Sequence, residues 1–149
     1  MKKKLTRDYP PVNQMSQNQK IEIVKDIFSS ITNKYDFLNR FLSLRQDLEW
    51  RKKTVKEMRF FKSYKLLDMA TGTGDLAINA AINYPNIKAI GLDFVQEMVD
   101  YGNKKIIEQN LVDRVQLKWG DATDIQYEDN TFDVIAMAFG IRNIPDKIK

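Results

Sequence analysis

A glycine-rich turn is the feature of this sequence with the clearest chemical meaning. Residues 71–77, Thr-Gly-Thr-Gly-Asp-Leu-Ala, have the spacing G-x-G-x-x-A and lie between an apolar run and a helical pattern. Gly72 and Gly74 at such a turn would let a ligand lie against the backbone. Asp93 ends a second apolar run 19 residues after Gly74. An acid at this spacing is suited to accept hydrogen bonds from ribose hydroxyls, so the pair predicts a site for a ribose-bearing ligand.

The acids around the turn indicate which ligand this is. A dinucleotide would place a pyrophosphate over the glycines, where neighbouring carboxylates would repel it. Asp68 and Asp75 flank the turn, and Asp121 follows a third apolar run. These acids favour a cationic ligand without phosphate, and S-adenosylmethionine (SAM) fits because it carries a sulfonium and an ammonium group. We expect Asp68 or Asp75 to attract its amino end, Asp93 to bind the ribose, and Asp121 and the Ala122 N–H to bind the adenine.

Composition excludes several other kinds of chemistry. The 149 residues suffice for one globular domain, and the chain has no cysteine and no histidine. Disulfides, thiolate nucleophiles and the usual zinc ligands are thereby excluded, and we expect no metal site. The lysines at residues 2–4 are not followed by the apolar segment of a secretory signal, and no window has the roughly 18 apolar residues of a membrane span. A cytoplasmic protein is predicted, with at most peripheral contact at the inner face of a membrane.

The front of the chain is basic and helical in pattern. Residues 1–65 carry 16 Lys and Arg against 7 Asp and Glu, whereas residues 66–149 carry 8 against 13. Residues 1–20 lack a period and predict a disordered or surface tail. Apolar residues recur at helical spacing from Ile21, and a second short helix is predicted to start at Asp36 as N-cap. A third helix, capped by Asp47, would place Arg51, Lys52, Lys53 and Lys56 on a basic side.

From residue 65 onward short apolar runs alternate with helical patterns. Strands are predicted over residues 66–70, 87–92, 114–119 and 132–139, with helices over 75–84 and 96–110. This order is typical of an α/β, Rossmann-like doubly wound parallel sheet with helices on both faces. Ligands of such sheets bind at the carboxyl ends of the strands, where the glycine turn, Asp93 and Asp121 all fall.

Several motifs resemble those of the ubiquinone/menaquinone biosynthesis C-methyltransferases, the UbiE/MenG family. They lie at residues 26–40, 67–75, 91–94, 120–122, 130–133 and 138–146, and the resemblance spans roughly residues 22–149. It implies the fold of class I SAM methyltransferases with an N-terminal helical extension. It also implies SAM as methyl donor, with Thr73, Asp93, Asp121 and Ala122 in contact with it. Some members bear a contacting Ser where this chain has Ala138.

The family resemblance implies a substrate and a domain organisation. The substrate would be a prenylated quinol, demethylmenaquinol or the related polyprenyl benzoquinol. Residues 21–64 would form a helical lid with an apolar groove, and residues 65–149 a SAM-binding domain. The family has seven strands and this sequence supports four, so we expect an N-terminal portion with little activity. Its fourth strand would expose an open edge that favours a homo-oligomer.

A polar pair, Arg142 and Asn143, follows the fourth strand directly. In a site without histidine the pair is suited to orient a phenolic oxygen, and Arg142 would favour its deprotonated form. That makes the ring carbon a better nucleophile. The alternative is a surface ion pair of Arg142 with Asp146. Tyr35, Asp36 and Asn39 are further candidates to cover the cofactor, unless Asp36 only caps a helix and Tyr35 only packs.

Three other functions remain open at this level. The glycine turn with Asp93 alone also fits an NAD-dependent oxidoreductase, although Asp68 and Asp75 count against it. Basic and aromatic residues are interleaved over residues 47–65, as in a nucleic-acid methyltransferase, but the same segment suits a membrane surface, which we favour. The chain would otherwise be a SAM-binding fragment without activity.

Overall fold

The computed structural model describes residues 14–138 and Gly140. Eight elements follow one another along the chain: α1 (Gln17–Leu42), α2 (Gln46–Glu57), β1 (Lys65–Met69), α3 (Asp75–Asn83), β2 (Lys88–Asp93), α4 (Gln96–Glu108), β3 (Val115–Trp119) and β4 (Val134–Ala136). The strands and the two helices between them agree with the predicted alternation, with boundaries shifted by at most three residues. No described helix is long and apolar enough to cross a membrane.

The four strands form one parallel sheet in the order β3-β2-β1-β4. Strand order reverses after β3, because β4 pairs with β1 on the side away from β2. Such a reversal opens a crevice at the carboxyl ends of the strands. The α/β Rossmann-like prediction is therefore confirmed.

The two crossover helices share one face of the sheet, which differs from the expected placement on both faces. Leu66, Ala89 and Val115, at matching registers on β1, β2 and β3, pack in one core cluster with Ala77 of α3 and Ile106 of α4. The reason is topological. Two successive right-handed crossovers in the same direction place both helices on the same side.

The first helix is longer than predicted. Ser16 caps it through a capping box with Gln19, and the helix then continues through Asp36 to Leu42. The prediction of two helices with Asp36 as N-cap is therefore wrong, because the Asp36 carboxylate bonds to side chains on other elements instead. The predicted tail over 1–20 ends earlier than expected, since α1 begins at Gln17; residues 1–13 lie outside the described range.

The second helix has a buried ion pair where a basic side was predicted. Asp47 lies in its first turn, and its carboxylate is bonded to Arg51 one turn later. Both residues are buried. Arg51 is thus not part of the solvated basic side, which Lys52, Lys53 and Lys56 form without it. Burial of the guanidinium is offset by its carboxylate partners.

Asp133 anchors the amino end of the sheet. Its carboxylate accepts hydrogen bonds from the backbone N–H groups of residues 61–64, at 2.8–3.0 Å, just before β1 begins. Its own N–H donates to the carbonyl of Lys65. Burial raises the pKa of Asp133, but these N–H donors outweigh burial and hold the pKa well below its usual value. One side chain therefore ties β4 to the segment that enters β1.

Candidate functional site

A cleft of about 370 Å³ lies at the carboxyl ends of the strands. Each of the four strands contributes to it through the residues that end or follow the strand. They are Ala70 and Gly72 after β1; Leu92, Asp93, Phe94 and Val95 at the end of β2; Gly120, Asp121, Ala122 and Thr123 after β3; and Ala138 and Gly140 after β4. The sequence-predicted residues Gly72, Asp93, Asp121 and Ala122 are brought together here.

Helix α1 closes the cleft from outside. Lys20, Ile21, Val24, Phe28 and Tyr35 line this wall at roughly helical spacing. The rings of Phe28 and Tyr35 meet edge to face with centroids 5.6 Å apart. The wall facing the strand ends is therefore apolar over most of its length, with an ammonium group at one end.

The turn after β1 has an unusual backbone. Ala70, Gly72 and Gly74 all have positive φ, at 52°, 58° and 81°. Glycine adopts this conformation readily, whereas Ala70 is held there against its preference. A Cβ at Gly74 would come within 2.8 Å of Cδ1 of the buried Leu117 side chain, which would have to shift. The positive φ together with this close approach favours glycine at residue 74.

Asp93 links the turn to the second strand. Its Oδ2 accepts from the Gly72 N–H at 2.7 Å and its Oδ1 from the Val95 N–H at 3.0 Å. Burial raises the pKa of Asp93, against the opposing effect of these donors. An ionised carboxylate offers about four lone-pair positions, so two bonds leave acceptor capacity on the side that lines the cleft.

Asp121 begins the loop after β3. Its Oδ1 accepts from the N–H and the hydroxyl of Thr123, at 2.8 and 2.7 Å. This local turn fixes the carboxylate beside Ala122 at the rim of the cleft. A fixed acceptor next to a backbone N–H is an arrangement suited to the edge of a nucleobase.

Asp68 lies beneath the turn, in a small recess that shares Tyr35 and Gly72 with the cleft. It is 1% exposed, and the Thr71 hydroxyl donates to its Oδ2 at 2.6 Å. Burial raises the pKa of Asp68 to about 7, although the hydrogen bonds from Thr71 and from the backbone of Ala77 oppose that effect. The carboxyl group is therefore close to its midpoint of ionisation at neutral pH.

Thr73 and Asp75 belong to a polar cluster behind the turn. The Thr73 hydroxyl donates to Asp36 of α1, and the Asp75 carboxylate accepts from Lys105 of α4 at 2.5 Å. Asp75 also lies 3.7 Å from the guanidinium of Arg51. The Asp75 carboxylate, one of the two considered for the amino end of the ligand, is thus engaged by cations of the protein. Thr73 does not line the main cleft but the small recess.

Sequence reasoning missed Lys105, Arg51 and Asp133 as structural partners. Lys105 and Asp133 bond to groups distant in the chain, whereas Arg51 bonds to an acid one helical turn away. For Arg51 a signal existed, because an acid four residues before a basic residue on a helix predicts a pair. Arg142 and Asn143, the predicted catalytic pair, lie outside the described residues. Within residues 14–138 no cluster of three or more acids, histidines or cysteines could hold a metal.

Strand order, glycine turn and acid-lined cleft together define the Rossmann-like fold of SAM methyltransferases. The solved structure of a SAM dependent methyltransferase from Aquifex aeolicus superposes with a TM-score of 0.64 and 26% identity, over 80% of this chain and 61% of that one. The likeness includes more than the sheet, since four fifths of the present chain is matched.

The chain belongs to the ubiE/COQ5 methyltransferase family, whose model matches residues 13–149. It is 39% identical over 130 residues to the ubiquinone/menaquinone biosynthesis C-methyltransferase UbiE of Geotalea daltonii, covering 87% of this chain and 55% of that protein. It is 43% identical over 124 residues to the demethylmenaquinone methyltransferase of Lactobacillus johnsonii, covering 83% and 51%. The chain thus spans about half the length of these relatives, and the resemblance read from the motifs is confirmed.

Proposed function

We propose that the cleft binds SAM and that the chain is part of a C-methyltransferase acting on a prenylated quinol. The observation that carries the proposal is the convergence of Gly72, Asp93, Asp121 and Ala122 on one cleft. These residues come from three strand ends that are far apart in sequence. The relatives named for demethylmenaquinone or ubiquinone/menaquinone biosynthesis support the quinol.

The residues present fit SAM. Asp93 would accept from the ribose hydroxyls, and Asp121 with the Ala122 N–H would meet the adenine edge. Apolar side chains of Val24, Phe28 and Met98 line the same cleft and suit the faces of a base. The amino-acid end would lie beside Gly72, next to the small recess that Asp68 lines. Thr73 is proposed to contact this end through its backbone, since its hydroxyl is bonded to Asp36.

The alternatives are less well supported by the same geometry. An NAD site would bring a pyrophosphate against a turn that has Asp68 beneath it and Asp75 at its end. The phosphates of a dinucleotide need N–H donors or cations there, whereas Asp93 alone would suit the ribose of either ligand. The relatives' names support neither an oxidoreductase nor a nucleic-acid methyltransferase.

The proposed chemistry is transfer of a methyl group from sulfur to an electron-rich ring carbon. A C–C bond forms as the S–CH3 bond breaks, S-adenosylhomocysteine leaves, and the ring carbon loses its proton to solvent as the ring regains aromaticity. Bound SAM would supply the electrophilic methyl on its sulfonium. The protein's part is to hold donor and ring in line while excluding water, which provides much of the rate without strong acid or base groups. Arg142 and Asn143 are proposed to orient the phenolic oxygen, with Arg142 stabilising its anionic form.

We propose that residues 21–64 cover the reaction site and offer an apolar path for the prenyl tail. The end of α1 exposes large apolar side chains: Phe37, Phe41 and Leu42 are 68%, 67% and 76% exposed. The rings of Phe37 and Phe41 stack with centroids 6.1 Å apart. Contiguous apolar surface of this kind marks a site for another molecule.

Peripheral contact with a membrane from the cytoplasmic side is proposed for residues 47–65. Trp50, Phe61 and Tyr64 are 49%, 75% and 46% exposed there, among the lysines of α2. Such a mixture suits an interface of anionic headgroups. Co-sedimentation with anionic but not neutral vesicles, weakened by salt, would support the contact. Absence of binding to either kind of vesicle would overturn it.

The experiment that tests the proposed function is transfer of labelled methyl from SAM to a panel of short-chain naphthoquinols and benzoquinols. Both the complete protein and residues 1–149 are assayed. Label in a ring methyl, with a preference between the two ring classes, would support the proposal and identify the substrate. Two results would overturn it: label transferred to nucleic acid instead, or no label in any quinol although SAM is bound.

Arg142→Ala in the complete protein tests the catalytic pair. An interaction made mainly in the transition state lowers kcat without a comparable loss of SAM affinity. Turnover is therefore expected to fall at least about tenfold while the SAM Kd changes less than about threefold. If SAM affinity fell and turnover of the bound complex held, Arg142 would be a cofactor-binding residue.

A further inference from the structure

Helix α1 is attached to the rest of the chain by unusually little core packing. None of the buried residues in the hydrophobic core cluster comes from α1. Among the α1 residues whose burial is described, Thr32 alone is buried, and its hydroxyl bonds to the carbonyl of Phe28 in the same helix. Ile21, Val24 and Phe28 of α1 line the cleft, and Phe37, Phe41 and Leu42 near its end are exposed. Polar contacts therefore contribute to holding this helix in place.

The strongest of these contacts converge on one ammonium group. Nζ of Lys105, on α4, donates to Oδ2 of Asp36 at 2.6 Å and to Oδ1 of Asp75 at 2.5 Å. The same ammonium lies 3.1 Å from the Thr73 hydroxyl, which itself donates to Oδ1 of Asp36 at 2.6 Å. The side chains of Lys105, Asp36 and Asp75 are each 14% exposed. Charge-assisted bonds of this kind, shielded from water, are the strong ones.

This cluster joins three parts of the molecule that border the cleft. Asp36 follows Tyr35 on the outer wall, and Thr73 follows Gly72 in the turn. The Gly72 N–H in turn donates to Asp93. The position of α1 and the position of the Asp93 carboxylate are thus connected through two adjacent residues of the turn.

We propose that Asp36 and Lys105 are positioning residues that latch α1 across the cleft and so set how long the bound ligand stays. The inference rests on the proposed SAM site. Ligand held between α1 and the strand ends leaves when α1 moves outward, and the latch must break for that to happen. Asp36 does not itself line the cleft, so its effect passes through α1 and Thr73.

Hydrogen exchange and ligand dissociation test the latch on the complete protein and on residues 1–149. Asp36→Ala removes the carboxylate, and Asp36→Asn keeps its size while losing its charge. Amides of α1 are expected to exchange about tenfold faster or more in Asp36→Ala, with amides of β1 and β2 unchanged. SAM dissociation, measured by stopped flow, is expected to accelerate by a similar factor, with a smaller change in Asp36→Asn.

Ser29→Ala is the matched control. The Ser29 hydroxyl donates to Glu97 at 2.9 Å and bridges the same two helices at an exposed place, so its loss should change either rate by less than about twofold. Adding Asp36→Ala to Lys105→Met should change either rate little beyond Lys105→Met alone, because Asp36 has then already lost its ammonium partner.

Unchanged α1 exchange in Asp36→Ala would overturn the latch, as would an equal effect of Ser29→Ala. Equal acceleration of sheet and α1 amides would also overturn it, because the cluster would then stabilise the whole fold. If the unaltered protein binds no SAM, the proposed function fails, while α1 exchange still decides whether the latch exists.

Discussion

Carboxylates at the two ends of the sheet have opposite pKa shifts, because they differ in burial and in the number of hydrogen bonds that they receive. At the amino end, Asp133 receives four backbone N–H groups and its pKa is lowered. At the carboxyl end, Asp68 and Asp93 are buried with fewer donors, and their pKa values are raised. The first carboxylate is fully engaged by the chain itself. The others keep acceptor capacity beside a cleft, which is how a binding site differs from a structural anchor.

Backbone strain does not separate the two ends, because each has a residue other than glycine at positive φ. Tyr64, directly before β1, has a φ of 53°, and Ala70, directly after it, has a φ of 52°. The turn after β1 differs in that it also depends on two glycines in this conformation, which let the backbone lie close to a ligand. The difference between the ends therefore lies in their carboxylates: the amino end engages its own, while the carboxyl end keeps buried charge for a ligand.

The largest expected effect separates the ends by function. Asp93→Ala should weaken SAM binding by about 100-fold or more, because a charged acceptor for two ribose hydroxyls is lost at about 1.5–3 kcal/mol per bond. Equilibrium dialysis with labelled SAM measures it, and Asp93→Asn, which keeps the shape, should lose less. Asp113→Ala, at the exposed start of the segment before β3, serves as a control and should bind normally. Normal SAM affinity in Asp93→Ala would remove the distinction between the two ends.

The complementary change is Asp133→Asn at the amino end. One oxygen is replaced by an amide that cannot accept, so part of the N–H cluster at residues 61–64 loses its partner. The thermal midpoint should fall by on the order of 5–10 °C, with the SAM affinity of the folded protein unchanged. Circular dichroism melts and dialysis below the melting range check both. A large loss of SAM affinity without loss of stability would show that Asp133 belongs to the binding site and is not a structural anchor.

Stability against pH should show opposite signs at the two ends. The folded pKa of Asp68 lies above its unfolded value, so its contribution is present below about pH 4 and is lost as pH rises toward 7. Asp133, with a lowered pKa, contributes above about pH 4 and loses that contribution as pH falls further. Asp68→Asn should therefore gain stability relative to the unaltered protein between pH 4 and 8, by about 1–3 kcal/mol. Urea unfolding at several pH values measures this gain. A difference in the free energy of unfolding that stays constant with pH would contradict the raised pKa of Asp68.

The smallest expected effect concerns strain at the carboxyl end. Ala70→Gly should stabilise the fold by no more than about 1 kcal/mol, since relief of the positive φ is partly offset by the greater freedom of glycine when unfolded. Urea unfolding measures the change. Destabilisation by more than that would show that the Ala70 methyl packs productively, as its position beside Gly140 allows.

The sheet and the glycine turn were predictable because their signals are local. Apolar runs of strand length, together with the spacing from Gly74 to Asp93, are enough to predict that strands and helices alternate in a parallel sheet. The unbroken α1 was not predictable, because Asp36 is a good N-cap by type and its partners in the fold, Thr73 and Lys105, lie 37 and 69 residues away in the chain. The Asp133 anchor was hidden for a similar reason, since its partners are backbone groups about 70 residues earlier. Side chains near the turn were predicted by residue type, but which of them face the cleft depends on the packing of α1, α2 and α4.

Calorimetric titration with SAM and with NAD tests the central claim most directly, namely that the carboxyl end of this sheet is a SAM site. The account predicts one SAM site per chain at micromolar affinity, lost in Asp93→Ala and retained in Asp133→Asn at a temperature where both are folded. It predicts no heat from NAD, whose pyrophosphate would meet the acids at the turn. Micromolar NAD binding with no SAM binding would contradict it.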